Sequence, residues 1–126
     1  QQGHILYWGV SMWPAERIAE VGAMCRAGGW RLPITNQPLY NLYRREIEVA
    51  VVPAAMRERM GQLVYSPLAQ GVLTGKYKPG EAPPPGSRAT EESSKKFVNN
   101  FMSEDHLQKA QKLVALAEKH ESLNLG

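Results

Sequence analysis

An α/β fold with parallel strands is what this sequence predicts, and three observations predict it. Short apolar runs alternate with helical stretches in the order strand, helix, strand, helix, strand, long excursion, helix. Alternation of that kind sets the strands parallel and joins them by right-handed crossovers. The polar residues that end the strands, Ser11, Gln37 and Ser66, recur at roughly 26 to 29 residues, close to one βα step of a barrel. In barrels and open α/β sheets alike, ligands bind at the C-terminal ends of strands. These three side chains are therefore either the first polar groups of a ligand site or simply the first residues of loops.

Each element follows from local chemistry. Ile5-Leu6-Tyr7-Trp8-Gly9-Val10 is a near-continuous apolar run, as expected of a strand covered on both faces. Pro14 fits the first helical position, Glu16 suits the first turn, and Ile18, Val21 and Cys25 follow at helical spacing, with Met24 close by on the same face. Gly28-Gly29 ends that helix. Pro33 to Gln37 is a second, weaker strand closed by Pro38, and Tyr40-Asn41-Leu42-Tyr43 makes a loop. Arg44 to Met60 reads as a second helix with Ile47, Val51, Ala54 and Ala55 facing inward. Pro53 should kink or restart it, because an interior proline costs about 3 kcal/mol. Gly61 is expected to end that helix, and Leu63-Val64-Tyr65 to form the third strand. Ser103 before Glu104 and Asp105 marks a helix start, and Leu107, Ala110, Leu113, Val114 and Ala117 form its apolar stripe. Leu123 and Leu125 could pair with a neighbour.

The chain is organised around Tyr65-Ser66-Pro67-Leu68-Ala69-Gln70-Gly71-Val72-Leu73-Thr74-Gly75-Lys76-Tyr77. A strand ending in serine, a proline that cannot donate to a ladder, and glycines that let backbone approach a ligand suggest a phosphate-holding lip. A surface loop with one lysine is the plainer alternative. From Ala69 to about Met102 the chain is an irregular excursion rich in proline and glycine, and loops of this length are usually functional or disordered.

Whole-chain properties narrow the classes. At 126 residues the chain can form one domain with a sizeable core, so residues 1–126 are read as a single domain. A net charge of +3, with scattered lysines and arginines, argues against nucleic acid as the main partner and leaves room for a small anionic ligand. The one cysteine, Cys25, cannot form an internal disulfide, which points to a reducing compartment. No stretch reads as a signal peptide or a bilayer span, so a cytoplasmic protein without membrane insertion is expected. His4, His106 and His120 match no metal-ligand spacing, which leaves no metal site expected.

Three motifs carry a family resemblance. Gly9-Val10-Ser11-Met12-Trp13, Asn36-Gln37-Pro38-Leu39-Tyr40-Asn41-Leu42 and the Tyr65-to-Tyr77 stretch, in that order and spacing, resemble the aldo-keto reductases. The likeness is to the branch with the voltage-gated potassium channel β subunits and bacterial glyceraldehyde-phosphate-type reductases. That resemblance implies a (β/α)8 TIM barrel, of which this chain would be about half, strands five to seven with their helices. It implies reduction of aldehydes or ketones with NADPH, a small-molecule carbonyl substrate as partner, and a site without metal. By motif, Ser11 and Gln37 would bond the nicotinamide carboxamide, and Tyr65 would stack on its ring. Ser66 and the backbone of Leu68 and Gln70 would approach the pyrophosphate. Lys76 and Arg88 would supply positive charge from residues 69–102, folded over the cofactor as a belt.

Two departures from the family pattern bear on function. Met12 stands where the family usually carries asparagine or arginine, so one polar contact is lost. The family's acid, a tyrosine assisted by lysine, histidine and aspartate, belongs to the first four strands, and no Asp-x-x-x-x-Tyr motif precedes Gly9 here. No catalytic residue is therefore assigned, and the chain alone is expected to be inactive. A non-catalytic NADPH-binding regulatory module like the channel β subunits is the alternative. A half-barrel that self-associates through open strand edges is another, and a homo-oligomer is expected. Other residues have blander readings. Cys25 reads as a buried thiol rather than a nucleophile, Tyr40 and Tyr43 either line a substrate mouth or pack the loop, and Lys95-Lys96 and Lys109 to Lys119 read as solvated faces.

Overall fold

Three short parallel strands and the helices between them form the first of two compact units, which runs to Pro67; the second begins at Leu68. The structure, a computed structural model, describes residues 3–120. Leu123 and Leu125 lie outside the described residues.

In the first unit the order is β1 (Gly9–Ser11), α1 (Ala15–Gly28), β2 (Thr35–Gln37), α2 (Val51–Arg57) and β3 (Gly61–Gln62), with the sheet ordered β1-β2-β3. Parallel register sets Gly9 against Thr35, Val10 against Asn36 and Ser11 against Gln37, then Thr35 against Gly61 and Asn36 against Gln62. The expected α/β alternation is thus present, with shorter strands than the apolar runs suggested. Ile5, Leu6 and Tyr7, expected inside a strand covered on both faces, are 69, 78 and 65% exposed. Their apolarity reports a need for cover that β1, an edge strand of this sheet, does not supply. The third strand covers Gly61–Gln62 instead of the expected Leu63-Val64-Tyr65, of which Tyr65 makes only an isolated bridge to Leu39, and Gly61 opens it rather than ending a helix.

Helix α1 starts one residue later than expected, with Pro14 as its N-cap in extended conformation. Ile18 and Cys25 are buried as the stripe requires, whereas Met24 faces outward. The predicted Arg44–Met60 helix is divided. A 3₁₀ turn covers Glu46–Glu48, and α2 begins only at Val51. Pro53 then falls in the first turn of α2, where its missing N–H is not needed, which is why the chain restarts there. Ala54 and Ala55 pack with Ile18 and Met60 into the core of this unit. Helices α1 and α2 end alike. Trp30 N–H donates to Cys25 O (2.8 Å) and Met60 N–H to Ala55 O (2.8 Å), with Gly29 at φ 62° and Arg59 at φ 54°. Where α1 crosses α2, a Cβ on Gly22 would strike the Glu58 carboxylate, which bonds Arg26.

The second unit contains α3 (Glu92–Asn99) and α4 (Glu104–Glu118), after a 3₁₀ segment at Ala69–Thr74. The excursion expected over 69–102 is therefore partly regular, with α3 as an unforeseen helix. The start of α4 is as expected: Ser103 Oγ accepts the His106 N–H at 3.3 Å. Leu107 and Ala110 are buried, as are Ala69, Val72, Leu73 and Tyr77 of the preceding segment and Val98 and Phe101 around α3. Gln111 ties α4 to the loop by donating to Gly75 O (2.8 Å) and Tyr77 O (3.3 Å).

Candidate functional site

The C-terminal ends of the three strands lie side by side, and the first unit places four of the expected residues there. Ser11 and Gln37 are register partners. The Gln37 carbonyl accepts both the Ser11 hydroxyl (3.1 Å) and the Met12 N–H (3.3 Å). Both residues are exposed, so the Gln37 side chain and the Ser11 edge face solvent at the end of the sheet. Met12 sits at φ 57°, in the left-handed region that a methionine seldom occupies. Leu39 N–H lies 3.4 Å from Met12 Sδ. Tyr65 pairs in parallel with Leu39 beyond β3, is 39% exposed, and receives the Tyr40 N–H at 3.4 Å. Ser66, just before Pro67, has φ 52°.

Two buried asparagines, whose roles local sequence pattern does not signal, hold these strand ends. Asn36 Oδ1 accepts the Trp13 N–H (3.3 Å) and its Nδ2 donates to Trp13 O (3.4 Å), fixing the chain after β1. Asn41 ties the loop after β2 to Ser66 O at 3.0 Å. Next to it, Glu48 accepts Tyr40 Oη (2.6 Å) and Arg45 Nε and Nη2 (2.8 and 2.9 Å). The Arg45 and Tyr40 hydrogen bonds hold the Glu48 carboxyl down at about 2 and push the Tyr40 phenol up. Tyr40 is thereby occupied in bracing its loop.

The second unit carries the other four. Leu68 O accepts the N–H groups of Gly71 (2.9 Å) and Leu73 (3.2 Å). Ala69, Gln70 and Gly71 follow with φ of 49°, 60° and 94°. Three successive positive-φ residues are costly for non-glycine and persist where surrounding structure imposes them. At Gly71 a Cβ would meet Lys76 Cε at 3.1 Å, so the lysine stem lies along bare backbone. Arg88 Nη1 donates to Gln70 Oε1, which joins two of the expected residues through the Gln70 side chain rather than its backbone alone. Ser94 of α3 donates to Arg88 O at 2.9 Å, so the unforeseen helix braces the arginine. Among the described residues neither Lys76 nor Arg88 is ion-paired with a carboxylate.

The first unit thus presents polar residues at one end of its parallel strands, and the second carries a loop of bare backbone with Lys76 along it. The sequence model of the Aldo/keto reductase family matches residues 1–124, and the chain belongs to that family. Family members are oxidoreductases of the (β/α)8 barrel class that act on carbonyl compounds with a nicotinamide cofactor. The chain is 36% identical over 119 residues to a probable voltage-gated potassium channel subunit beta of Arabidopsis thaliana, covering 94% of this chain and 36% of that protein. It is 32% identical over 123 residues to aflatoxin B1 aldehyde reductase member 2 of Rattus norvegicus, covering 94% of this chain and 32% of the other. The Homo sapiens protein of the same name is 31% identical over 122 residues, 94% and 33% covered. The chain thus spans about a third of the length of these curated relatives. Among the described residues no helix is long and apolar enough to cross a membrane.

Proposed function

We propose that this chain is the cofactor-holding portion of an NADPH-dependent reductase of aldehydes or ketones, contributing the fifth to seventh strands of a (β/α)8 barrel. The observation that supports it most is Lys76 lying along the bare backbone of Gly71, with neither Lys76 nor Arg88 ion-paired to a carboxylate among the described residues. Such a donor set suits phosphate oxygens. In this reading Ser11 and Gln37 hold the carboxamide and Tyr65 packs its exposed ring on the nicotinamide. Ser66, Leu68, Gln70, Lys76 and Arg88 take the phosphates, and residues 69–102 act as the belt. When bound, the cofactor supplies a hydride to the carbonyl carbon, and the protein supplies orientation and charge. The catalytic acid has no assigned residue here, and a cytoplasmic setting is part of the same reading.

The test is titration of the full chain with NADPH and NADH, followed by turnover with an aldehyde such as methylglyoxal. Lys76→Met and Arg88→Met should each weaken NADPH binding about tenfold, since a hydrogen bond to a charged group is worth about 1.5–3 kcal/mol. Unchanged affinity in both variants would sink the phosphate assignment. The potassium channel subunits beta among the relatives favour a second reading, in which NADPH is held for a partner with little turnover. Tight binding without aldehyde reduction would favour it. The exposed Ile5, Leu6 and Tyr7, just before the edge strand β1, support self-association, which sedimentation at several concentrations tests.

A further inference from the structure

Strand pairing after β3 runs out at a proline, and an asparagine side chain takes its place. Tyr65 N–H donates to Pro38 O (3.0 Å) and Tyr40 N–H donates to Tyr65 O (3.4 Å). The next step of this parallel ladder would need an N–H on residue 67, and Pro67 has none. One residue earlier, Asn41 Nδ2 donates to Ser66 O at 3.0 Å.

Asn41 is built for that contact. It is 6% exposed, and its Oδ1 accepts the N–H groups of Tyr43 (2.9 Å) and Arg44 (3.1 Å). Its backbone exchanges hydrogen bonds with Arg44 in both directions, at 3.2 and 3.0 Å. Those bonds fix which end of the amide is oxygen, so the NH₂ group is aimed at the Ser66 carbonyl. Ser66 is at φ 52°, on the side of φ space that a serine seldom occupies and that a following proline restricts further. A conformation of this kind persists only where neighbours impose it.

We propose that Asn41 is a positioning residue. It holds the Ser66 carbonyl, keeps residue 66 at positive φ, and so sets how Ser66, which the cofactor reading assigns to the phosphates, is presented at the strand end. The functional half of this inference rests on the cofactor reading given above. The conformational half rests only on the geometry of Asn41 and Ser66.

Asn41→Asp separates tethering from folding, because it keeps the oxygen that accepts from Tyr43 and Arg44 and replaces only the donor. The carboxylate then opposes the Ser66 carbonyl. Two readouts apply to the full chain, both taken well below the melting temperature of each variant. The first is NADPH affinity, expected to fall about tenfold to a hundredfold. The second is the set of three-bond NMR couplings across the Ser66 N–Cα bond, expected to move away from positive φ. An N41D chain that loses thermal stability but binds NADPH within about twofold of wild type, with Ser66 couplings unchanged, overturns the proposal and leaves Asn41 a purely structural residue. A wild-type chain that fails to bind NADPH overturns the cofactor reading and the functional half with it. The Ser66 couplings then separately uphold or overturn the tether.

Discussion

The two units hold their loops by different means. In the first, buried amides and an ion-pair cluster do the holding: Asn36 on Trp13, Asn41 on Ser66, and Glu48 on Tyr40 and Arg45. In the second, close packing is added to the Gln111 hydrogen bonds on Gly75 O and Tyr77 O. At Gly75 φ is 77°, and a Cβ would come within 2.3 Å of Val114 Cγ2 on α4. A loop held by directional bonds fails when a donor or acceptor is removed. A loop held by contact fails when volume is added.

The largest effect should come from breaking the packed side. Gly75→Ala adds both an unfavourable φ and an overlap with Val114, and should destabilise by roughly 2–4 kcal/mol in a denaturant titration. Gly80→Ala is the matched control: its φ is 73° and no atom lies within 4 Å of the added Cβ. Its cost should be the conformational part alone, about 1 kcal/mol. Equal losses in the two variants would show that α4 does not press on residue 75.

Next in size is the bonded side. Asn36→Ala removes a fully buried side chain and leaves the part-buried Trp13 N–H and carbonyl without their partner, and should cost about 1–3 kcal/mol. A change of a few tenths of a kcal/mol would place the support of that strand end elsewhere. The smallest effect is electrostatic and depends on pH. The fold lowers the Glu48 carboxyl from its ordinary 4.5 to about 2, chiefly through the Arg45 and Tyr40 hydrogen bonds. The fold therefore favours the charged form, and the stabilisation is present above about pH 4.5 and lost as pH falls toward 2. Glu48→Gln should melt below wild type at neutral pH, with the gap closing across that window. A gap that persists at the acid end would mean that charge is not what Glu48 contributes.

What the sequence revealed divides along physical lines. Ser103 at the start of α4, Gly28-Gly29 at the end of α1 and the restart at Pro53 are local chemistry, and local chemistry is legible. The end of α2 was not, because Arg59 adopts the conformation that Gly29 adopts and nothing in an arginine announces it. Helix α3 escaped notice because Val98 alone is buried in eight residues, too little to set a period. The exposed Ile5-Leu6-Tyr7 was misjudged because an apolar run shows what a strand needs, not which neighbours it has. The strand-end residues Ser11, Gln37, Tyr65 and Ser66 came from motif and spacing. The supports for them did not, since Asn41 and Ser66 are 25 residues apart and a side-chain bond of that span leaves no periodic trace.

Cys25 gives the first unit a built-in stopwatch. It is the chain's one cysteine, it is 3% exposed within α1, and its Sγ lies 3.7 Å from Arg31 O. A thiol reagent reaches it when its cover gives way, so slow alkylation in the native state counts the moments when the surroundings of Cys25 open. Dividing that rate by the rate for the denatured chain gives the opening equilibrium of the region around Cys25, without altering a residue.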